Sequence, residues 1–247
     1  STQSRSSAAS DVYKRQVNLL TKIKCPDEEM IANKDPRNCT DRPDGFSYYN
    51  TNVVFDRMGS LITRYRKFNL FGEKVDRPSK PEYSFFDTDF GVRFGTFICF
   101  DIVYRYPALE LVRKHNITDF VYPTHWYSEL PFSSAVQFQQ NWAYANNVNL
   151  LAAGANNVRI GATGTGIFVG RKGSLISVME GEKSMKLYTA TVPKKGLGDN
   201  VQVVQNQIRY TKEKMQPLYL STDLMEGYDV LICEYFQTLE NSLSDKF

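Results

Sequence analysis

The chain is poor in the side chains that most often carry catalysis or hold metals: two histidines and four cysteines in 247 residues. The cysteines, Cys25, Cys39, Cys99 and Cys233, lack the paired spacing of a thiolate zinc site. No metal and no cofactor is expected. No glycine-rich phosphate loop precedes a helix; "GATGTG" opens a strand and reads as a turn. No apolar run approaches the ~20 residues of a membrane-spanning helix, and the longest, near "NLLAAGA", is strand-sized. The formal net charge of +3 is small and evenly spread, which argues against a nucleic-acid partner.

What is present is a globular composition, 42% hydrophobic, enough for a real core. The opening "STQSRSSAASDVYKRQ" has no hydrophobic periodicity and reads like an adaptor-derived leader, so residues 1–16 are set apart. Residues 17–193 carry the periodic segments. From residue 194 the pattern fades, and 194–247 reads as a linker and the start of a truncated second domain. The whole is expected to be a piece of a longer protein.

Within 17–193, "NVVFD", "RMGS" and "LITRYRK" predict a hairpin, and "YSFFDT" with "GVRFGTFICF" a second strand pair broken at Gly91. Pro107 suits a first helical turn, with Ala108, Leu109, Leu111 and Val112 as its apolar face. "DFVYP" predicts a buried strand. Ala135, Val136, Gln139, Trp142 and Ala143 follow helical spacing, and "NLLAAGA", "GTGIFVG", "SLISVM" and "KLYTATV" read as further strands. Strand, helix, strand, helix, strand, then hairpins, describes an α/β layered domain with a mixed sheet.

Cys99 is placed where that strand pair gives way to a helix, in "FICFDIVYRYP". A buried cysteine is usually an inert hydrophobe, whereas one at a strand-to-helix turn can be a nucleophile. A nucleophilic thiol needs an activator. His125, in "PTHWY", is one candidate and Lys67, in "RYRKFNLFGE", the other, since a nearby ammonium stabilises a thiolate. Cys25 and Cys39 flank the polar loop "PDEEMIANKDPRN". A disulfide closing it is worth ~3 kcal/mol in the chain-entropy model and implies an oxidising compartment; the alternative is two unpaired surface thiols. Sequons at Asn38 and Asn116 agree with secretion as glycosylation sites.

"YNTNVVFDRMGSLITRYRKFNLFGE", "FGTFICFD", "FVYPTHWYSELPFSSAVQFQQNWAYANNVNLLAAGAN" and "TGTGIF", in this order, resemble the nitrilase superfamily of carbon-nitrogen hydrolases, and within it the vanin and biotinidase family. The resemblance implies a four-layer αββα sandwich, incomplete at the N-terminus, over residues 17–193. It makes Cys99 the nucleophile, Lys67 the proton donor and oxyanion stabiliser, and the Phe100 amide an oxyanion donor. Glu73 matches a supporting glutamate, with the interval from Lys67 shortened by one residue. Trp126 matches a substrate-side tryptophan, and His125 stands beside it where the family has a small residue. The general-base glutamate falls upstream of the resemblance; Glu28 and Glu29 lie in the cysteine-bounded loop and do not match it. The implied reaction is hydrolysis of a small-molecule linear amide through a thioester, either pantetheine to pantothenate and cysteamine or a biotinyl amide such as biocytin. A secreted, catalytically inactive binding homologue is the alternative from another class. The fragment alone is expected to be inactive, and the protein secreted or extracellular, with any lipid anchor carried by the full-length chain.

Overall fold

The computed structural model describes residues 15–25, 43–129, 133–195 and 209–210. These all fall in one compact unit, Ser1–Gln216; the second unit, Pro217–Phe247, lies outside the described residues.

Two sheets dominate. The smaller has three antiparallel strands in the order β1 (Arg15–Lys24), β2 (Phe46–Phe55) and β3 (Leu61–Arg66). β2 and β3 are the predicted first hairpin, turned at Gly59 with φ of 82°, a conformation that disfavours any side chain.

The larger sheet has seven strands. They are β4 (Ser84–Asp87), β5 (Arg93–Thr96), β6 (Asp119–Thr124), β7 (Asn149–Gly154), β8 (Thr165–Val169), β9 (Ser174–Met179) and the short β10 (Arg209–Tyr210). They lie side by side in sequence order. β5, β6 and β7 are mutually parallel, while β4 and β8 run antiparallel to their neighbours, giving the expected mixed sheet. Two helices, α1 (Glu110–Arg113) and α2 (Ala135–Asn146), supply the crossovers between the parallel strands.

Strand alternation decides what each face meets. On β6, Phe120 and Tyr122 point into the helix-side core with Trp142, Ala143 and Leu111. Val121 points the other way, onto Val54 of β2 and Phe86 of β4. The helix-side core is aromatic: Phe97, Phe120 and Trp142 lie with ring centroids 5.2 to 5.6 Å apart. Gly95 makes room for it, since a Cβ there would sit 2.8 Å from the Phe120 ring.

The contact between the sheets is partly polar. Asn52 and Gln16 both donate to the Thr96 hydroxyl, at 2.7 and 2.9 Å. Among the described residues the order is helices, large sheet, small sheet, three layers of the expected αββα arrangement in the α/β class. The anticipated strand "KLYTATV" is absent. Among the described residues, 186–192 have no ladder partner, and residues 186–190 and 192 line a cleft instead.

Candidate active site

The cleft opens beyond the carboxyl ends of β5, β6 and β7, where open α/β sheets hold their ligands. It encloses about 980 Å³ and is lined by Cys99, Lys67, Glu73, Asn50 and His125, among others.

Cys99 follows β5 and begins a 3-10 turn, Cys99–Val103. Its φ is 46°, a left-handed value that strains a residue bearing a Cβ by ~1–3 kcal/mol. The surroundings hold it there. Its carbonyl accepts the Tyr122 hydroxyl at 2.8 Å, and its half-buried thiol faces the cleft, donating to the His125 carbonyl at 3.5 Å. A nucleophile on a sharp strand-to-helix turn is presented by its backbone in this way. Phe100 follows in the first turn, ahead of the initial bond from the Asp101 N–H to the Ile98 carbonyl, 3.1 Å. Backbone donors at such positions have no helical acceptor, which suits the oxyanion role expected for Phe100.

Asp101 braces the turn from behind. It is fully buried. One carboxylate oxygen accepts the Tyr65 hydroxyl at 2.7 Å and the Ile98 N–H at 3.1 Å; the other accepts the Asn69 N–H at 2.8 Å and its side-chain amide at 2.9 Å. Burial raises its pKa to about 6, against the lowering effect of these donors. Burial, and then the Asp101 charge, also push the Tyr65 hydroxyl well above its usual range.

Lys67 stands one residue past β3, on the face already occupied by buried Tyr65, and is only 2% exposed. Its backbone N–H donates to the Asn50 carbonyl at 2.8 Å, continuing the β2–β3 ladder. Its ammonium meets Glu73 Oε1 at 2.5 Å. The same oxygen accepts the Asn50 side-chain amide at 3.0 Å, and Glu73 Oε2 accepts the Phe71 N–H at 2.6 Å. Glu73 is therefore the counter-ion of Lys67 rather than a solvated loop carboxylate, and the shortened interval still delivers it.

His125 lines the cleft, but the thiol contacts its carbonyl; its ring stacks on Tyr127 at 5.0 Å, and desolvation lowers its pKa. Trp126 is turned away from the cleft. It keeps the parity of Phe120 and Tyr122, lies buried against Phe138 and donates to the Ser133 carbonyl at 2.7 Å. Asn116 is exposed in a left-handed turn. Cys25 is disulfide-bonded, and Asn38, Cys39 and Cys233 lie outside the described residues.

Sequence reasoning missed Asp101, although it sits two residues past Cys99, where a carboxylate can cap the turn. It also missed Asn50, Tyr65 and Asn69, whose roles depend on chain folding rather than on local pattern. Among the described residues no group of three or more His, Cys, Asp or Glu side chains is placed to hold a metal ion, and no helix is long and apolar enough to cross a membrane.

A thiol on a strained turn and a buried ammonium line one cleft, with the Phe100 amide next along the chain from the thiol; groups of this kind can stabilise a tetrahedral oxyanion. The chain is 51% identical over 179 residues to Vanin-like protein 1 of Drosophila melanogaster, covering 72% of this chain and 31% of that protein. It is 46% identical over 143 residues to a pantetheinase of Canis lupus familiaris, covering 56% and 28%. It is 40% identical over 172 residues to human biotinidase, covering 69% and 31%. The chain thus spans about a third of the length of the curated relatives it matches. The family model for carbon-nitrogen hydrolases matches residues 30–199, which contain Lys67, Glu73 and Cys99, and the chain belongs to the carbon-nitrogen hydrolase family.

Proposed function

We propose that the protein hydrolyses a linear amide through a thioester on Cys99, with pantetheine as substrate and pantothenate and cysteamine as products. The observation that carries this reading is the Lys67 ammonium, buried and clamped by Glu73 on the cleft that the Cys99 thiol faces. A buried ammonium costs several kcal/mol to desolvate, and its single counter-charge only offsets that. Such an arrangement makes sense where negative charge develops during a reaction.

Cys99 gives its proton to a carboxylate base, which the resemblance places upstream of residue 17, and the sulfur attacks the amide carbon. The carbonyl electrons move onto oxygen, beside the Lys67 ammonium and the Phe100 N–H. Collapse breaks the C–N bond, and the amine leaves with the transferred proton. Water then adds to the thioester, breaking the C–S bond to release the acid and restore the thiol. Tyr122 and Asp101 hold the turn during both steps. The disulfide at Cys25 supports a secreted or extracellular setting.

The wider coverage by biotinidase favours a second reading, in which the acyl group is biotinyl. Mass spectrometry of the full-length protein quenched during turnover separates the two. A pantothenoyl adduct on the Cys99 peptide supports the first, a biotinyl adduct the second. An adduct on another residue, or full activity in Cys99→Ala, rejects both.

A further inference from the structure

We infer that Phe71, Phe100 and Tyr127 form a subsite beside Cys99 that takes an uncharged, apolar or sulfur-bearing arm of the amide substrate. The inference rests on Cys99 being the nucleophile and adds what the site selects.

Large aromatic side chains in mutual contact at a surface mark a contact site more often than scattered ones do. Phe71 is 47% exposed and Tyr127 39%, yet their rings lie 6.2 Å apart on the same cleft as Cys99. The Phe71 ring also meets that of Phe100, the residue after the nucleophile, at 4.9 Å. The series extends to Tyr104, 5.3 Å beyond Phe100, and to His125, 5.0 Å beyond Tyr127. Desolvation keeps the His125 imidazole biased toward its neutral form. Phe71, Tyr127 and His125 thus line the cleft that the thiol faces, and Phe100 and Tyr104 join them through ring contacts.

The backbone of Phe71 is anchored. Its N–H is held by Glu73 Oε2 at 2.6 Å, and the other oxygen of that carboxylate holds Lys67. One carboxylate therefore ties the Phe71 main chain to the ammonium that would meet the oxyanion. A substrate carbonyl between Cys99 and Lys67 leaves one of its arms beside these rings. Aromatic faces reward apolar groups by area and sulfur by polarisability. Pantetheine has such an arm in its thiol-ended leaving amine; the leaving group of biocytin is a zwitterionic lysine.

The test uses alkylation of the Cys99 thiol, which needs no turnover. Second-order rate constants at the Cys99 peptide are measured for iodoacetamide, its N-benzyl derivative and an N-(2-aminoethyl) derivative, each normalised to its rate with glutathione. The benzyl reagent should be favoured by about 3- to 10-fold over iodoacetamide, the worth of one good aromatic contact. That preference should fall toward unity in Phe71→Ala and in Tyr127→Ala, and largely return in Phe71→Tyr. Both side chains are partly exposed, and circular dichroism checks that each variant folds. A normalised benzyl preference of one, a preference surviving both alanine variants, or an equal gain by the cationic reagent overturns the inference. Amide turnover is measured on the full-length protein, since the fragment alone is expected to be inactive. An inactive full-length protein with the benzyl preference intact rejects the hydrolase reading alone, whereas an active one without it rejects only the subsite.

Discussion

Two carboxylates flank the thiol at Cys99, and they are held in opposite ways. Asp101, behind the turn, is fully buried and surrounded by four neutral donors with no cation. Glu73, on the cleft, is partly exposed and paired with the Lys67 ammonium. Burial without a counter-charge leaves Asp101 with a pKa of about 6, so its charge is conditional. Glu73 sits against the Lys67 ammonium at 2.5 Å. The first carboxylate shapes the backbone that presents the sulfur; the second holds a buried charge on the cleft wall.

Removing the cation breaks the comparison most severely. Lys67→Met keeps much of the stem's packing and deletes the charge, leaving Glu73 without its partner. Amide turnover of the full-length protein should fall by ~10²- to 10³-fold, the scale of one lost oxyanion-stabilising donor. Alkylation of Cys99 should also slow, because the thiolate loses a cationic neighbour. Turnover and alkylation both within twofold of wild type would show that Lys67 is only structural.

Glu73→Gln tests the other half of the pair. The amide can still accept from the Phe71 N–H, but the buried ammonium is left uncompensated. Breaking such a pair destabilises by ~3–5 kcal/mol, with the lower end expected because Glu73 is partly exposed. Denaturant unfolding gives the value; a change below 1 kcal/mol would mean that solvent already screens the pair.

Asp101→Asn sharpens the contrast through pH. The folded pKa, about 6, lies above the ordinary carboxylate value. The folded state therefore holds the proton where the unfolded state has released it. Stability from this group is fully present below about pH 4 and is lost as pH rises through 6. The gap amounts to roughly 2–3 kcal/mol at most. Urea unfolding at pH 4 and pH 7 should show that this portion of the pH dependence is missing in the Asn variant. Turnover should fall more than KM rises if the turn has shifted. Identical pH slopes for the two proteins would show that Asp101 titrates normally.

The two carboxylates also show what a sequence discloses. Lys67, Glu73 and Cys99 could be named as candidates because a resemblance spans them in order, and β2 to β9 were legible because their alternation and turns are local. Trp126 was misplaced by motif matching, although strand parity from Phe120 through Tyr122 already pointed it toward the helices. The Asp101 brace joins Tyr65, Asn69 and Ile98, brought together by folding, so only the capping position of Asp101 itself could have been read locally. The segment at 186–192 has a strand's composition, but no neighbouring edge pairs with it, and edge availability belongs to tertiary structure.

The left-handed φ of Cys99 has a consequence for mutational drift. Every L-residue at position 99 inherits the same backbone, so Cys99→Ala silences the thiol without relieving the turn. Glycine alone would relax it. Cys99→Gly should unfold at a denaturant concentration equal to or above that of Cys99→Ala, by up to ~1 kcal/mol in stability, despite glycine's greater unfolded-state freedom. A lower value would locate the strain elsewhere. Stability alone would therefore favour glycine over cysteine at position 99, so under the proposed function the nucleophile sits where folding would sooner have no side chain.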